Sequence, residues 1–314
     1  MSARLAPGEP LEAAARRLLA EEIAPIGEAL DLARTEPSEG VHEARRRFKR
    51  IRAVLGLLRA ANEDFFIVEN ARYRDLSRTL APAREAAALV ETLDRLAEDE
   101  PEAAEALSGL REQLTARRPK GGDARLVVAL DNARAWCDAG AVAASRFSPA
   151  LDAPGDADVV AAGVARPLRR ASRALARLRR HATAEDFHDM RKAVKAHAAH
   201  VSVLADLWPG GAKERRKHAG RLSDRLGELN DVHVLRHLVM TRSEPPGGLA
   251  GAAWLTKLLA RAEKANAREA LAIARKLFDQ KPRIVGASLA DAVRAASRRA
   301  DEADRLANRL AALA

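Results

Sequence analysis

Residues 42–58 read HEARRRFKRIRAVLGLL. At about 100° per residue, Ala44, Phe48, Ile51, Leu55 and Leu58 fall between roughly 160° and 240° from His42, a single apolar stripe. Arg45, Arg46 and Lys49 fall at about −60°, +40° and −20°, on the same side as His42, with Arg52 at the edge of that arc. Arg47 and Arg50 point elsewhere. The stretch is therefore an amphipathic helix that buries one face and turns a histidine and several cations outward on the other.

The device is written twice. Residues 188–195 read HDMRKAVK, which sets His188, Arg191, Lys192 and Lys195 over His42, Arg45, Arg46 and Lys49 at an offset of 146 positions. At the same offset Leu76, Ser77, Leu80 and Leu89 fall on Leu222, Ser223, Leu226 and Leu235, with no gap between the matched blocks. A tandem duplication accounts for both matches at once. The second copy thins after Lys195, because Ala198 stands where Arg52 does, and His197 and His200 occupy the positions of Ile51 and Val54. Those two histidines read as packing residues.

Ala, Leu, Arg and Glu dominate the rest of the chain, β-branched residues are sparse, and Pro and Gly collect in a few places. The reading is all-α. Breaks are expected near 35–40 (TEPSEG), 119–122, 148–158 (SPALDAPGDAD), 208–211 (WPGG) and 244–248 (EPPGG). The segment at 148–158 divides a first half, 1–150, from a second, 158–314. Ser38 ahead of His42, and Thr183 with Asp186 ahead of His188, place each histidine in or near a first helical turn, where the dipole would add positive potential. Trp136, Trp208 and Trp254, scattered one per element, read as core anchors.

Just before the second copy, Arg166, Arg169, Arg170, Arg173, Arg177 and Arg180 fall within roughly 100° of arc. No acidic residue occurs between Asp158 and Glu185 to dilute this row. A solvated cationic helix surface explains any one such face. Three of them, two in register, point instead to an anionic ligand.

Lys and Arg number 54 against 44 Asp and Glu in the 314 residues, a formal net charge of +10, which agrees with an anionic partner. Aromatic residues are only 3%, too few for the stacking platforms that hold single-stranded nucleic acid. Arg and Lys suit phosphate oxygens, and a histidine beside an anion can protonate and join them. Neither G-x-x-x-x-G-K-[ST] nor G-x-G-x-x-G occurs, so a flexible chain of phosphates along two facing basic helices fits better than one compact phosphate.

One cysteine, Cys137, gives neither a disulfide framework nor a metal cluster. His233 and His237 are spaced i, i+4 without an H-E-x-x-H pattern, so no metal is expected. Asp224, Glu228 and Asp231 share a helical face but read, with Asn230, as capping or tying residues. No cofactor is expected. The N-terminal MSARLAPGEPLEAAARR lacks an uninterrupted apolar stretch, and no apolar run approaches the ~20 residues that span a bilayer. The expectation is a cytoplasmic protein without a membrane partner.

These residues resemble a known family. VHEARRRFKRIR at 41–52, FHDMRKAVK at 187–195, LGELNDVHVL at 226–235 and KLFDQKPR at 276–283 are together similar to the CHAD family, the conserved histidine α-helical domain, from about residue 8 to the end. The resemblance implies two tandem antiparallel four-helix bundles related by a pseudo-twofold axis. It also implies that their facing basic helices bind inorganic polyphosphate, without catalysis, and that the protein associates with polyphosphate granules. By motif position the binding residues would be His42, Arg45, Arg46, Lys49 and Arg52 in one half and His188, Arg191, Lys192 and Lys195 in the other. Arg173 and Arg177 are added from the arginine row. The family's first half usually reads Arg-Asp where Arg84 is here followed by Glu85. The alternatives are a sequence-independent binder of nucleic acid or acidic protein on the same surface, and a metal-dependent polyphosphate hydrolase.

Overall fold

The computed structural model describes residues 4–100, 102–241 and 248–312, and among them every regular element is a helix. The expected break at 244–248 lies largely outside the described residues.

Helix α3 (Pro37–Leu58) and helix α9 (Ala184–Val203) are the two copies of the amphipathic device, and they pack against each other. Their apolar stripes are buried as the periodicity requires: Ala44, Phe48 and Ile51 are fully enclosed on α3, as are Met190, Val194 and Val201 on α9. Each of the larger side chains contributes roughly 1.5–3 kcal/mol by leaving water. His197 and His200 do pack, in register with Ile51 and Val54. Nε2 of the buried His200 donates to the carbonyl oxygen of Ala53 on α3 at 2.9 Å, a tie between the two halves.

Before α3 lie α1 (Leu11–Ile23) and α2 (Ile26–Thr35), and after it α4 (Glu63–Thr79), α5 (Pro82–Asp99), α6 (Glu102–Ala116) and α7 (Ala124–Ser145). Around α9 stand only α8 (Asp156–Arg180), α10 (Lys213–Met240), α11 (Gly248–Leu277) and α12 (Pro282–Ala311). Helix breaks in the first half fall at prolines that the second half lacks at the equivalent positions, although α8 carries Pro167 within it. Pro25 separates α1 from α2 and Pro82 separates α4 from α5, whereas α8 and α10 run unbroken through the positions 146 residues later. Proline has no N–H to donate and its ring clashes with the preceding turn, so a helix restarts at it more readily than it continues through it.

The main hydrophobic core takes residues from both halves, Leu18, Phe48 and Leu130 together with Leu168, Val194 and Leu289. A smaller cluster joins α5, α6, α10 and α11 through Leu93, Leu110, Leu235 and Leu259. Trp208 is buried, but Trp136 and Trp254 are exposed, which corrects the reading of all three tryptophans as core anchors. Among the described residues no helix is long and apolar enough to cross a membrane.

Glycines let α3 meet its neighbours closely. A Cβ on Gly163 of α8 would stand 2.3 Å from the carbonyl oxygen of Leu57, whereas one on Gly220 of α10 would meet nothing within 4 Å. Helix propensity alone favours alanine at both positions by about 1 kcal/mol. Steric overlap with fixed backbone reverses the sign at the first, since overpacking costs about 1–3 kcal/mol. Gly163→Ala should lower, and Gly220→Ala raise, the urea midpoint of unfolding. Equal shifts of the same sign would show that the α3–α8 approach is not tight.

Candidate functional site

The cationic faces of α3 and α9 meet where the helices pack, with α5 and α10 alongside. At the centre stand Lys49 and Lys195. Lys49 depresses Lys195, and Arg191 depresses both. Loss of water is the largest cause, followed for Lys49 by Arg45, Arg191 and Arg84, and for Lys195 by Arg191 and Lys49. Lys49 is brought down to about 8 and Lys195 to about 7. Lys49 keeps exposed surface, yet protein crowds its ammonium closely. The two facts agree for a side chain at a crowded surface, which loses hydration without entering the core.

The cationic surface extends to both sides of this pair. In each helix the histidine lies seven residues, about 10 Å, before the lysine. Arg45 donates through Nη1 to the carbonyl oxygen of Ser77, and Arg84 of α5 donates through Nε to Nδ1 of His42 at 3.3 Å. Burial and then the charges of Arg84 and Lys49 hold His42 below its ordinary value. His188 is lowered by burial, Lys192 and Arg191, and it contacts Asn230. Both rings are therefore neutral in the unliganded protein near pH 7, and an arriving anion would favour their protonation.

Arg84 and Asn230 occupy equivalent positions at the 146-residue offset, and both touch the histidine of their own half. Asp231, equivalent to Glu85, offsets the charge of Lys49, Lys195 and Arg191. Reading Asn230 and Asp231 only as helix-tying residues missed that role. The signal was present, since these positions lie between the matched pairs Leu80/Leu226 and Leu89/Leu235.

The structure brings together His42, Arg45 and Lys49 with Arg191 and Lys195 through these contacts, and sets His188 and Lys192 at one end. Arg46 is exposed but paired with Glu43 at 2.6 Å. Arg52 turns toward α4, where Nε donates to Oδ1 of Asn70 at 3.0 Å. Arg47 and Arg50 do point elsewhere, toward the buried Glu22 of α1.

The arginine row of α8 requires a correction. The row lacks counter-charges in its own sequence, but its member Arg177 acquires them from the next helix. Arg177 is paired with Asp186 and, at 3.2 Å, with Asp189, both on α9. Arg173 is exposed on α8. The histidines also lie later in their helices than expected. His42 is the sixth residue of α3 and His188 the fifth of α9, past the first turn, where the dipole field has faded. Thr183 does cap α9, accepting from the Asp186 amide at 3.1 Å, but Ser38 lies inside α3, which opens on Pro37. The positive potential comes from side chains.

The model of the CHAD domain family matches residues 11–240. Two solved structures resemble the fold. The crystal structure of the CHAD domain from the plant Ricinus communis superposes with a TM-score of 0.64 at 17% identity, covering 89% of this chain and 95% of that one. PptA from Streptomyces chartreusis superposes with a TM-score of 0.60 at 20% identity, covering 87% and 100%. No curated protein matches the chain in sequence.

The depressed lysines have a consequence for stability. An unfolded Lys195 titrates near 10.5 and the folded one near 7, so between those values the unfolded chain binds more protons. The contribution of this residue to stability is therefore complete above pH 10.5 and is lost as the pH falls toward 7. Lys195→Met should raise the Tm at pH 7 by a few degrees, and the difference from the parent should shrink steadily up to pH 10. A difference independent of pH would show that the ammonium is fully solvated in the fold.

Proposed function

The chain belongs to the CHAD domain family, and from that premise we propose that it binds inorganic polyphosphate, without acting on it chemically, in the groove between α3 and α9. The halves 1–150 and 158–314 each contribute one basic helix, and a single polymer chain touches both. The ligands are His42, Arg45, Lys49, His188, Arg191, Lys192 and Lys195, with Arg46 released from Glu43 to join them and Arg52 at the margin. Arg84 extends the same surface. A cytoplasmic location and association with polyphosphate granules follow from this reading.

The observation that carries it is the convergence of Lys49 and Lys195, with Arg45, Arg84 and Arg191, beside two carboxylates of α10, Asp231 and Asp224. Cations gathered with too few partners lower their own pKa values. A polyanion laid between them removes the repulsion and restores their protons. A flexible chain of closely spaced phosphates has the charge density and the reach to do this along the whole groove. A nucleic acid carries its phosphates farther apart and brings bases for which this surface has no aromatic platform.

Three outcomes test the proposal. If about six phosphates are neutralised, affinity should fall on the order of a thousandfold between 50 and 200 mM salt, by analogy with nucleic acids. Reversing Arg45, Lys49, Arg191 and Lys195 to Glu should abolish binding while far-UV circular dichroism stays unchanged. Binding should also take up protons, so that above pH 8 affinity weakens by up to about tenfold per unit for each lysine that must recharge. Calorimetry in buffers of different ionisation enthalpy reads that uptake. Affinity indifferent to salt and pH contradicts the groove. Preference for single-stranded DNA over long-chain polyphosphate in competition favours the nucleic-acid alternative, and phosphate release with Mg²⁺ or Mn²⁺ favours a hydrolase.

A further inference from the structure

Beside His188 the groove opens into a cavity of about 390 Å³ enclosed by α9, α10, α11 and the segment before α9. Its walls differ from the rest of the groove. Phe187, Leu226, Leu229, Ala260 and Ala267 make an apolar lining on which polyphosphate, having no apolar atoms, would gain nothing. The polar part of the lining is cationic: Arg191, Arg236 and Lys264 stand against one carboxylate, Glu263. Glu263 is bound to Arg236 and accepts from Nδ1 of His233 at 3.2 Å, so its charge is already taken up. Nε of Arg191 and Nε of Arg236 are both shielded from solvent and without a hydrogen-bond partner. Buried donors without acceptors are costly, and they leave two guanidinium groups that line the cavity short of hydrogen bonds.

We infer that this cavity binds a small amphiphilic phosphate monoester, its phosphate group at Arg191 and His188 and a short alkyl or aryl group against Phe187, Leu226 and Leu229. Three cations and one carboxylate leave an excess of two positive charges. A phosphate monoester, largely dianionic at pH 7, matches that excess, whereas a carboxylate supplies half of it. The volume lies near the lower end of small-molecule sites, enough for one short chain or ring and too little for the two acyl chains of a bilayer lipid. The ligand is therefore a free small molecule. It rests on the polyphosphate reading only in sharing Arg191 and His188, so that the two ligands exclude each other at that end of the groove.

Isothermal titration calorimetry with hexyl phosphate, inorganic phosphate and hexanoate tests the inference on the full chain. Hexyl phosphate should bind at least about tenfold more tightly than either control. Ala260→Trp, at an exposed position on the cavity wall, should reduce that advantage to within about twofold. Ala267→Leu, a smaller change that fills the same space from deeper in α11, should do likewise, and circular dichroism verifies the fold of each. Long-chain polyphosphate should still bind both variants with affinity within about twofold of the parent, and hexyl phosphate should weaken polyphosphate binding in competition. Hexyl phosphate binding no more tightly than inorganic phosphate, or binding undiminished by both substitutions, overturns the inference. Tight hexyl phosphate binding by a chain that does not bind polyphosphate leaves the cavity assignment standing and removes the groove assignment instead.

Discussion

Repulsion between like charges at the packing of α3 against α9 is the constraint around which the structure is arranged. Lys49 and Lys195 both lose hydration, and neighbouring cations then make a positive charge still less favourable: Arg45, Arg191 and Arg84 at Lys49, Arg191 and Lys49 at Lys195. Nothing about helix packing demands this. Met or Leu at either position would cover the same helix surface without the electrostatic penalty, and replacing buried charge by apolar groups of similar volume is often neutral or stabilising. On the proposed reading, charges retained at such cost in the free protein await an anion that removes it.

The surrounding fold holds the two helices in place against that repulsion. Apolar stripes on α3 and α9 enter one continuous core, so separating the cationic faces would expose Phe48, Ile51, Met190 and Val194. His200 adds a direct hydrogen bond to Ala53, and burial holds its ring neutral, near 4, so that it introduces no further cation. His197 is likewise neutral and accepts from Nε of Arg215 at 3.0 Å, between the rings of Trp208 and Phe278. The two histidines of the motif and the two of the core thus do opposite work. His42 and His188 stay where an anion can reach them, whereas His197 and His200 convert the second copy's helix into a hydrogen-bonded seam.

Much of this was legible because α3 and α9 are strongly periodic: seventeen residues of 3.6-fold patterning fix both the buried and the charged face of a helix at once. The family resemblance rested on the same residues. Features that depend on encounters between distant segments were not legible. The arginine row of α8 has no acidic residue within its own helix after the first turn, while Asp186 and Asp189 reach Arg177 from the next helix. Pro25 and Pro82 divide helices that run unbroken in the second half, a difference that the matched leucines on either side conceal. Asp231 looked like a tie between helices, and only the folded arrangement puts its carboxylate beside three cations from two helices. Trp136 and Trp254 were expected inside on residue type alone, although neither carries the periodic neighbours that would draw it there.

The central claim is that one anionic polymer spans both halves. A crystal structure of the protein with a defined-length polyphosphate, long enough to reach from His42 to His188, tests it most directly. The account predicts a continuous chain within hydrogen-bond distance of the Lys49 and Lys195 ammonium groups together. Density confined to the outer face of α8, or two separate chains each held by one half, would contradict it.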